Sequence, residues 1–320
     1  MGRVLSCVIA PALLLAAPAC DEPPRRPSSL GATAADTMGA ALADAREVVV
    51  RTHRKIEETS GLAASATHRD VLFAIDDSGN DPMLFALDTT GADRGAWRVS
   101  GATNVDWEAL AMGPCEPAAS RCIYIGDVGD NGARHPTRVL YRIREPEPLD
   151  SAHTGKVAAE HVTFTYPDGK HDVEAMYVAA AGDVYLITKR PSRSGAFRLR
   201  HALVFRVPSS AWSTGRAAVA QLVDSLSIVP GSAPFRTITD ASLAPDGRHL
   251  AVRTYSQLYV YAVDSTSGRV DASIAPSICN LVALDEAQGE GLAWLAAGGR
   301  FAFSSEGKGQ PLRLASCPPP

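Results

Sequence analysis

The chain is 320 residues long, with 31 Lys and Arg against 35 Asp and Glu and a formal net charge of -4. That balance, with no basic stripe, excludes nucleic acid as the expected partner. Hydrophobic residues make up 46% of the chain, enough for a sizeable core.

Residues 1–20 read as an export signal, with Arg3 near the start, an apolar run from Val8 to Ala17 and small residues before a cysteine. The run is shorter than the roughly 20 apolar residues that span a bilayer. Ala17, Pro18 and Ala19 before Cys20 resemble the lipobox of bacterial lipoproteins, which would make Cys20 the lipid-bearing first residue of the mature chain. An ordinary cleaved signal is the alternative. The expected location is the cell envelope or periplasm, with membrane contact only through that lipid. Residues 21–46 are rich in Pro, Ala, Ser and Gly, without a sustained apolar period, and read as a flexible tether. Residues 47–320 are left for one domain.

The cysteines fit an oxidising compartment. Cys7 leaves with the signal, Cys115 and Cys122 are expected to close a hairpin loop, and Cys279 with Cys317 to pin the C-terminal end. A zinc site competes with this reading, but the two-residue spacing and neighbouring histidines of such sites are missing.

Five segments then repeat one pattern of a polar residue, a small one and a large apolar one, followed by a turn and a β-rich run. They begin at Ser60-Gly61-Leu62, Glu108-Ala109-Leu110, Glu174-Ala175-Met176, Asp240-Ala241-Ser242-Leu243 and Glu290-Gly291-Leu292. Their leading residues are 48, 66, 66 and 50 positions apart, a self-similarity that marks stacked units. Val, Ile, Tyr and Thr gather in runs of strand length, and no long window has helical periodicity. The fold expected is all-β, a five-bladed β-propeller of four-stranded blades. Six blades remain open, because either interval of 66 can conceal a degenerate one. The fifth repeat is one strand short, and residues 47–56 (EVVVRTHRKI) are the strand expected to close the ring.

In such a ring, one repeated position on each first strand points at a common axis. Here it holds Ser60, Glu108, Glu174, Asp240 and Glu290, with the fourth register open between Thr239, Asp240 and Ser242. Carboxylates so close raise each other's pKa, and a bound ion relieves them; a roomy ring of oxygens suits Ca²⁺. The alternative is that these acids cap backbone amides and lock the blades. A second ring at the ends of the second strands holds Asp76, Asp77, Asp127, Asp130, Asn131, Lys189, Arg190, Arg253 and Glu306. Lys189 and Arg253 are candidates to neutralise phosphate, and Asp77 or Asp127 to activate water. These charges can equally pair with one another. The GDVGDN string (126–131) can ligate a cation or satisfy its own amides. Trp107, Tyr177 and Tyr255 can stack on a ligand or belong to the core. There is no GxSxG elbow, P-loop or HExxH.

The succession SGL with AIDDSG, WEAL with YIGDVGDN, VEAM with LITKRPS, ASLAPDG with VRTY and GEGL with SSEG resembles propellers of the SdiA-regulated and esterase-like-phytase type. It is also similar to the calcium-activated nucleotidase (apyrase) family. That resemblance implies an axial Ca²⁺ held by Ser, Glu, Glu, Ser and Glu, which Ser60, Glu108, Glu174 and Glu290 match while the fourth blade is shifted. It also puts Lys189, Arg190 and Arg253 where that family holds phosphates. Two functions are expected: a metal-dependent hydrolase of phosphoesters or phosphoanhydrides, or a non-catalytic propeller with a structural ion. The partner is a small anionic ligand or a protein at the mouth, and the chain is expected to be a monomer.

Overall fold

A computed structural model describes residues 38–52, 54, 56–116, 120–148, 153–189, 201–228, 236–296 and 299–320. The signal segment, Cys7, Cys20, most of the tether and Arg190 lie outside the described residues. Five antiparallel sheets form, one per repeat. Blade 1 consists of Thr59–Ala64, Val71–Asp76, Met83–Asp88 and Asp93–Ser100. Blade 2 consists of Trp107–Cys115, Ser120–Asp127, Arg138–Arg144 and Glu160–Thr165. Blade 3 holds Val173–Val178, Val184–Thr188, His201–Val207 and Gln221–Ser227, and blade 4 holds Ile238–Leu243, His249–Thr254, Gln257–Ala262 and Ser277–Asn280. Blade 5 holds Gly289–Ala296, Arg300–Ser305 and Leu312–Ser316. The innermost strands contact one another in order around a closed ring.

Both faces of each sheet are buried, which is why runs such as VLFAID are apolar without alternation. In that run Phe73 and Ile75 pack toward blade 2, whereas Leu72 and Ala74 pack toward blade 5. Five core clusters result, one in each gap between neighbouring blades.

The ring closes with an N-terminal strand, but earlier in the chain than the apolar Val48-Val49-Val50 run indicates. Ala43–Val48 pairs antiparallel with Leu312–Ser316, and Ala40–Ala41 pairs parallel with Ser277–Asn280. These strands occupy the end of the segment read as tether. Beyond Val48 the chain crosses to blade 1. There the Arg51 amide donates to the Gly91 carbonyl at 2.7 Å, and Arg54 pairs with Asp93 at 3.0 Å.

The two 66-residue intervals hide edge straps, with no sixth blade among the described residues. Thr154–Ala158 leaves blade 2 and adds a fifth, parallel strand to the rim of blade 1, and Ala218–Val219 does the same for blade 2. Each strap covers backbone groups that an open edge would offer to another chain. Gly155 in the first strap has no room for a side chain, since a Cβ there would lie 2.5 Å from the Trp97 ring. No helix among the described residues is long and apolar enough to cross a membrane.

Both expected disulfides form, Cys115–Cys122 and Cys279–Cys317, as suits an oxidising compartment. They close loops with sequence separations of 7 and 38. Loop-closure entropy gives the shorter about 2.4 kcal/mol and the longer about 3.9 kcal/mol. Urea unfolding of a Cys279→Ala, Cys317→Ala variant is therefore expected to show roughly 1.6 times the stability loss of a Cys115→Ala, Cys122→Ala variant. Equal losses would remove the entropic account.

Candidate functional site

Each inner strand breaks register with its neighbour at an equivalent place near its start. The breaks fall between Thr59 and Gly61, Trp107 and Ala109, Val173 and Ala175, Ile238 and Asp240, and Gly289 and Gly291. A bulge leaves one residue outside the ladder and re-aims its side chain. The residues so released are Ser60, Glu108, Glu174, Thr239 and Glu290. The fourth-blade member is thus Thr239, and Asp240 stands in regular register opposite Arg253.

The two hydroxyls act alike. Ser60 Oγ donates to the Trp107 carbonyl at 2.7 Å, and Thr239 Oγ1 donates to the Gly289 carbonyl at 2.9 Å, so each stitches its blade to the next just before a bulged Glu. Asp240 is fully buried and accepts the amides of Ala241 and Leu292 at 2.7 and 2.6 Å, which makes it a blade lock.

Lys189, at the end of the second strand of blade 3, supplies a protein cation to the acidic ring. Its Nζ lies 2.6 Å from Glu174 Oε1. Burial opposes its charge, but Glu174, then Glu108, Asp172 and Glu290, outweigh burial and hold its pKa above the usual lysine range. Glu290 Oε1 also accepts the Tyr255 hydroxyl at 2.7 Å. Arg253 stays away from the mouth: it is fully buried, donating to the Gly291 carbonyl at 2.7 Å and to Glu286 Oε2 at 2.5 Å. Asp127 is buried against Arg138 at 3.0 Å and accepts the Asp106 amide at 3.0 Å. Trp107 and Tyr177 belong to the core, with Trp107 Nε1 donating to the Thr103 carbonyl and the Tyr177 hydroxyl to that of Gly268.

The first two blades are arranged differently. Carboxylate oxygens of Asp77, Asp106 and Glu108 lie within 4.8 Å of one another. Asn104 holds this arrangement: its Nδ2 donates to the Asp76 and Asp77 carbonyls at 3.0 and 2.8 Å, and its Oδ1 accepts the Trp107 amide at 3.1 Å. In the GDVGDN loop, the Val128 and Gly129 amides donate to the Asp106 carbonyl. Asp130 caps the loop's own Arg134 and His135 amides. Burial, then Asp77, raises the Asp106 pKa to about 7, and burial, then Glu174 and Asp77, pushes Glu108 well above the carboxylate range. Asp106, Asn104 and Asp172 lie outside the repeated strings. The signal for Asp106 was an acid two positions before Glu108 in NVDWEAL.

The other end of the channel has a different chemistry. A cavity of about 370 Å³ there is lined by Ala63, Ala111, Ala241, Tyr177 and Trp294 among others.

No protein-family model matches the chain, and no curated protein does. Solved structures similar to it include the PQQ-bound aldose sugar dehydrogenase of Streptomyces coelicolor, at 12% identity, covering 86% of this chain and 99% of that one with a TM-score of 0.45. The glutaminyl cyclase of Myxococcus xanthus is similar at 14% identity, covering 88% and 100%, with a TM-score of 0.48. A gluconolactonase of Xanthomonas campestris is similar at 14% identity, covering 82% and 72%, with a TM-score of 0.40.

Two outcomes are expected from this electrostatic arrangement. Lys189→Met strips a buried carboxylate group of its ammonium and is expected to cost about 3 kcal/mol or more in chemical unfolding at pH 7. Glu306 has its pKa raised from 4.5 to about 8 by burial, then by Glu290, Asp77 and Glu58. A carboxyl raised in the folded state binds a proton that the unfolded state has lost, so stability declines as pH rises from about 4.5 to about 8. Melts in chelator are expected to fall in Tm over pH 6–8.5, with a shallower slope for Glu306→Gln; an unchanged slope would rule out Glu306 as a contributor.

Proposed function

We propose that this protein is an exported propeller that works at its acidic mouth, where it binds a divalent cation of the Ca²⁺ type and, beside it, an oxygen-bearing ligand. The observation that carries this reading is the bulge shared by all five blades. It gathers Glu108, Glu174 and Glu290 near one buried lysine, while Asp77, Asp106 and Glu306 add further negative charge, more than a single ammonium can neutralise. The predicted five-residue ligand set fits an ion poorly, because Ser60, Glu174, Asp240 and Glu290 already have protein partners. Glu108 is the member that remains. A divalent ion would neutralise charge and polarise a ligand oxygen; the chain positions its acids through Asn104 and the GDVGDN loop.

Of the two finer readings, non-catalytic binding is better supported than phosphoester or phosphoanhydride hydrolysis. Three of the four residues expected to catalyse it are engaged internally: Lys189 with Glu174, Arg253 with Glu286 and Asp127 with Arg138. Asp77 alone of the four belongs to the carboxylate cluster. The disulfides support an oxidising environment, and a lipid on Cys20 with the following tether would hold the chain at a membrane surface.

The test is a melt of chelator-treated protein with and without CaCl₂, run beside a screen of phosphomonoesters, phosphodiesters and nucleoside triphosphates. At about 100 times the Kd, calcium is expected to add about 2.7 kcal/mol of stability, with no turnover. Turnover abolished by chelator would instead establish the hydrolase. Absence of any calcium effect, in melts and by calorimetry, would dispose of the cation site.

A further inference from the structure

The acidic mouth contains one carboxylate whose surroundings are incomplete. Glu108 is 6% exposed, yet among the described residues nothing donates a hydrogen bond to its carboxylate and no cation forms an ion pair with it. A buried acid normally has such partners, because an unmade bond to a charged group costs more than the net gain from a typical made one. Among the described residues the carboxylate of Asp106 also lacks a donor, although its backbone is held on both sides. Its amide donates to Asp127, and its carbonyl accepts Val128 and Gly129. Asp77 receives the Ser78 amide.

We infer that Asp77, Asp106 and Glu108 form a divalent-cation site lying between blades 1 and 2, off the channel axis. This rests on the reading that the mouth binds a cation, and it assigns the ion to a set that shares only Glu108 with the axial ring. Two oxygens bound to one Ca²⁺ at 2.3–2.6 Å can lie up to about 5 Å apart, and the three carboxylates meet that limit. The site also has a close wall. A Cβ on Gly129 would stand 2.6 Å from both Asp106 Oδ2 and Glu108 Cγ, so the loop can approach these ligands only as glycine. The other two axial acids, Glu174 and Glu290, are by contrast served by Lys189 and Tyr255.

Calorimetric titration of the full chain with CaCl₂, on wild type and variants checked by circular dichroism, tests the assignment. Wild type is expected to bind one ion. Asp106→Asn and Glu108→Gln are expected to weaken binding at least tenfold, and Glu290→Gln to change it less than about threefold, since each 1.4 kcal/mol is a factor of ten. Should Asp106→Asn fail to fold, Asp77→Asn at a half-buried position is expected to give the same loss. Wild-type affinity in both Asp variants, or a loss in Glu290→Gln as large as in Glu108→Gln, would overturn the off-axis site while leaving a cation at the mouth. No binding by wild type would overturn both.

Discussion

Five sheets can share one axis only if their inner strands approach closely, and that approach decides what the axial residues can be. At each inner strand the ladder slips by one residue, and the released side chain belongs to the ring rather than to the blade. Where that residue is Ser60 or Thr239, its hydroxyl reaches a carbonyl of the next blade and contributes to closure. Where it is Glu, a charge is taken out of water, and the surrounding structure must answer it. The bulge therefore couples the stability of the ring to the chemistry at its mouth.

The answer differs around the ring. On blades 3 to 5, Lys189 meets Glu174, Tyr255 meets Glu290, and Arg253 is sealed between Glu286 and the Gly291 carbonyl. Such pairs are costly to break once buried, because removing one partner strands the other. Arg253 illustrates this most clearly, since its full burial serves the junction of blades 4 and 5 and withdraws it from any ligand. On blades 1 and 2 the answer is incomplete.

Much of this was legible from residues alone. The repeated small-plus-apolar strings marked every inner strand, because both faces of a blade are buried and each strand must carry apolar residues on both. The fourth register was not legible. TITDASL offers Thr239, Asp240 and Ser242, all oxygen-bearing, and the choice depends on how Ile238–Leu243 pairs with His249–Thr254. The closing strand was displaced for a similar reason. Residues 48–50 look more strand-like than ADAREV, but pairing with Leu312–Ser316 needs backbone groups and one buried anchor, Val48, while Val49 is exposed. Lys189 and Arg253 were legible as charges at strand ends. Their partners were not, since Glu286 lies in the connector between blades 4 and 5 and only the packing of those two blades brings it against Arg253.

The asymmetry between the two halves bears on how a mouth can be both stable and receptive. A ring with every acid neutralised from within would resemble a core and offer a ligand nothing. A ring with none neutralised would carry the full repulsion of its carboxylates and lose closure. Here the internal cation lies on the side of blade 3, and the polar clamp of Asn104 and the GDVGDN loop lies on the side of blades 1 and 2. That clamp fixes the backbones of Asp77 and Asp106 while leaving the Asp106 and Glu108 carboxylates without donors among the described residues. Backbone order without side-chain satisfaction is the arrangement that preorganised binding requires, since the geometry is established before the ligand arrives and the unmade bonds are left for it to complete.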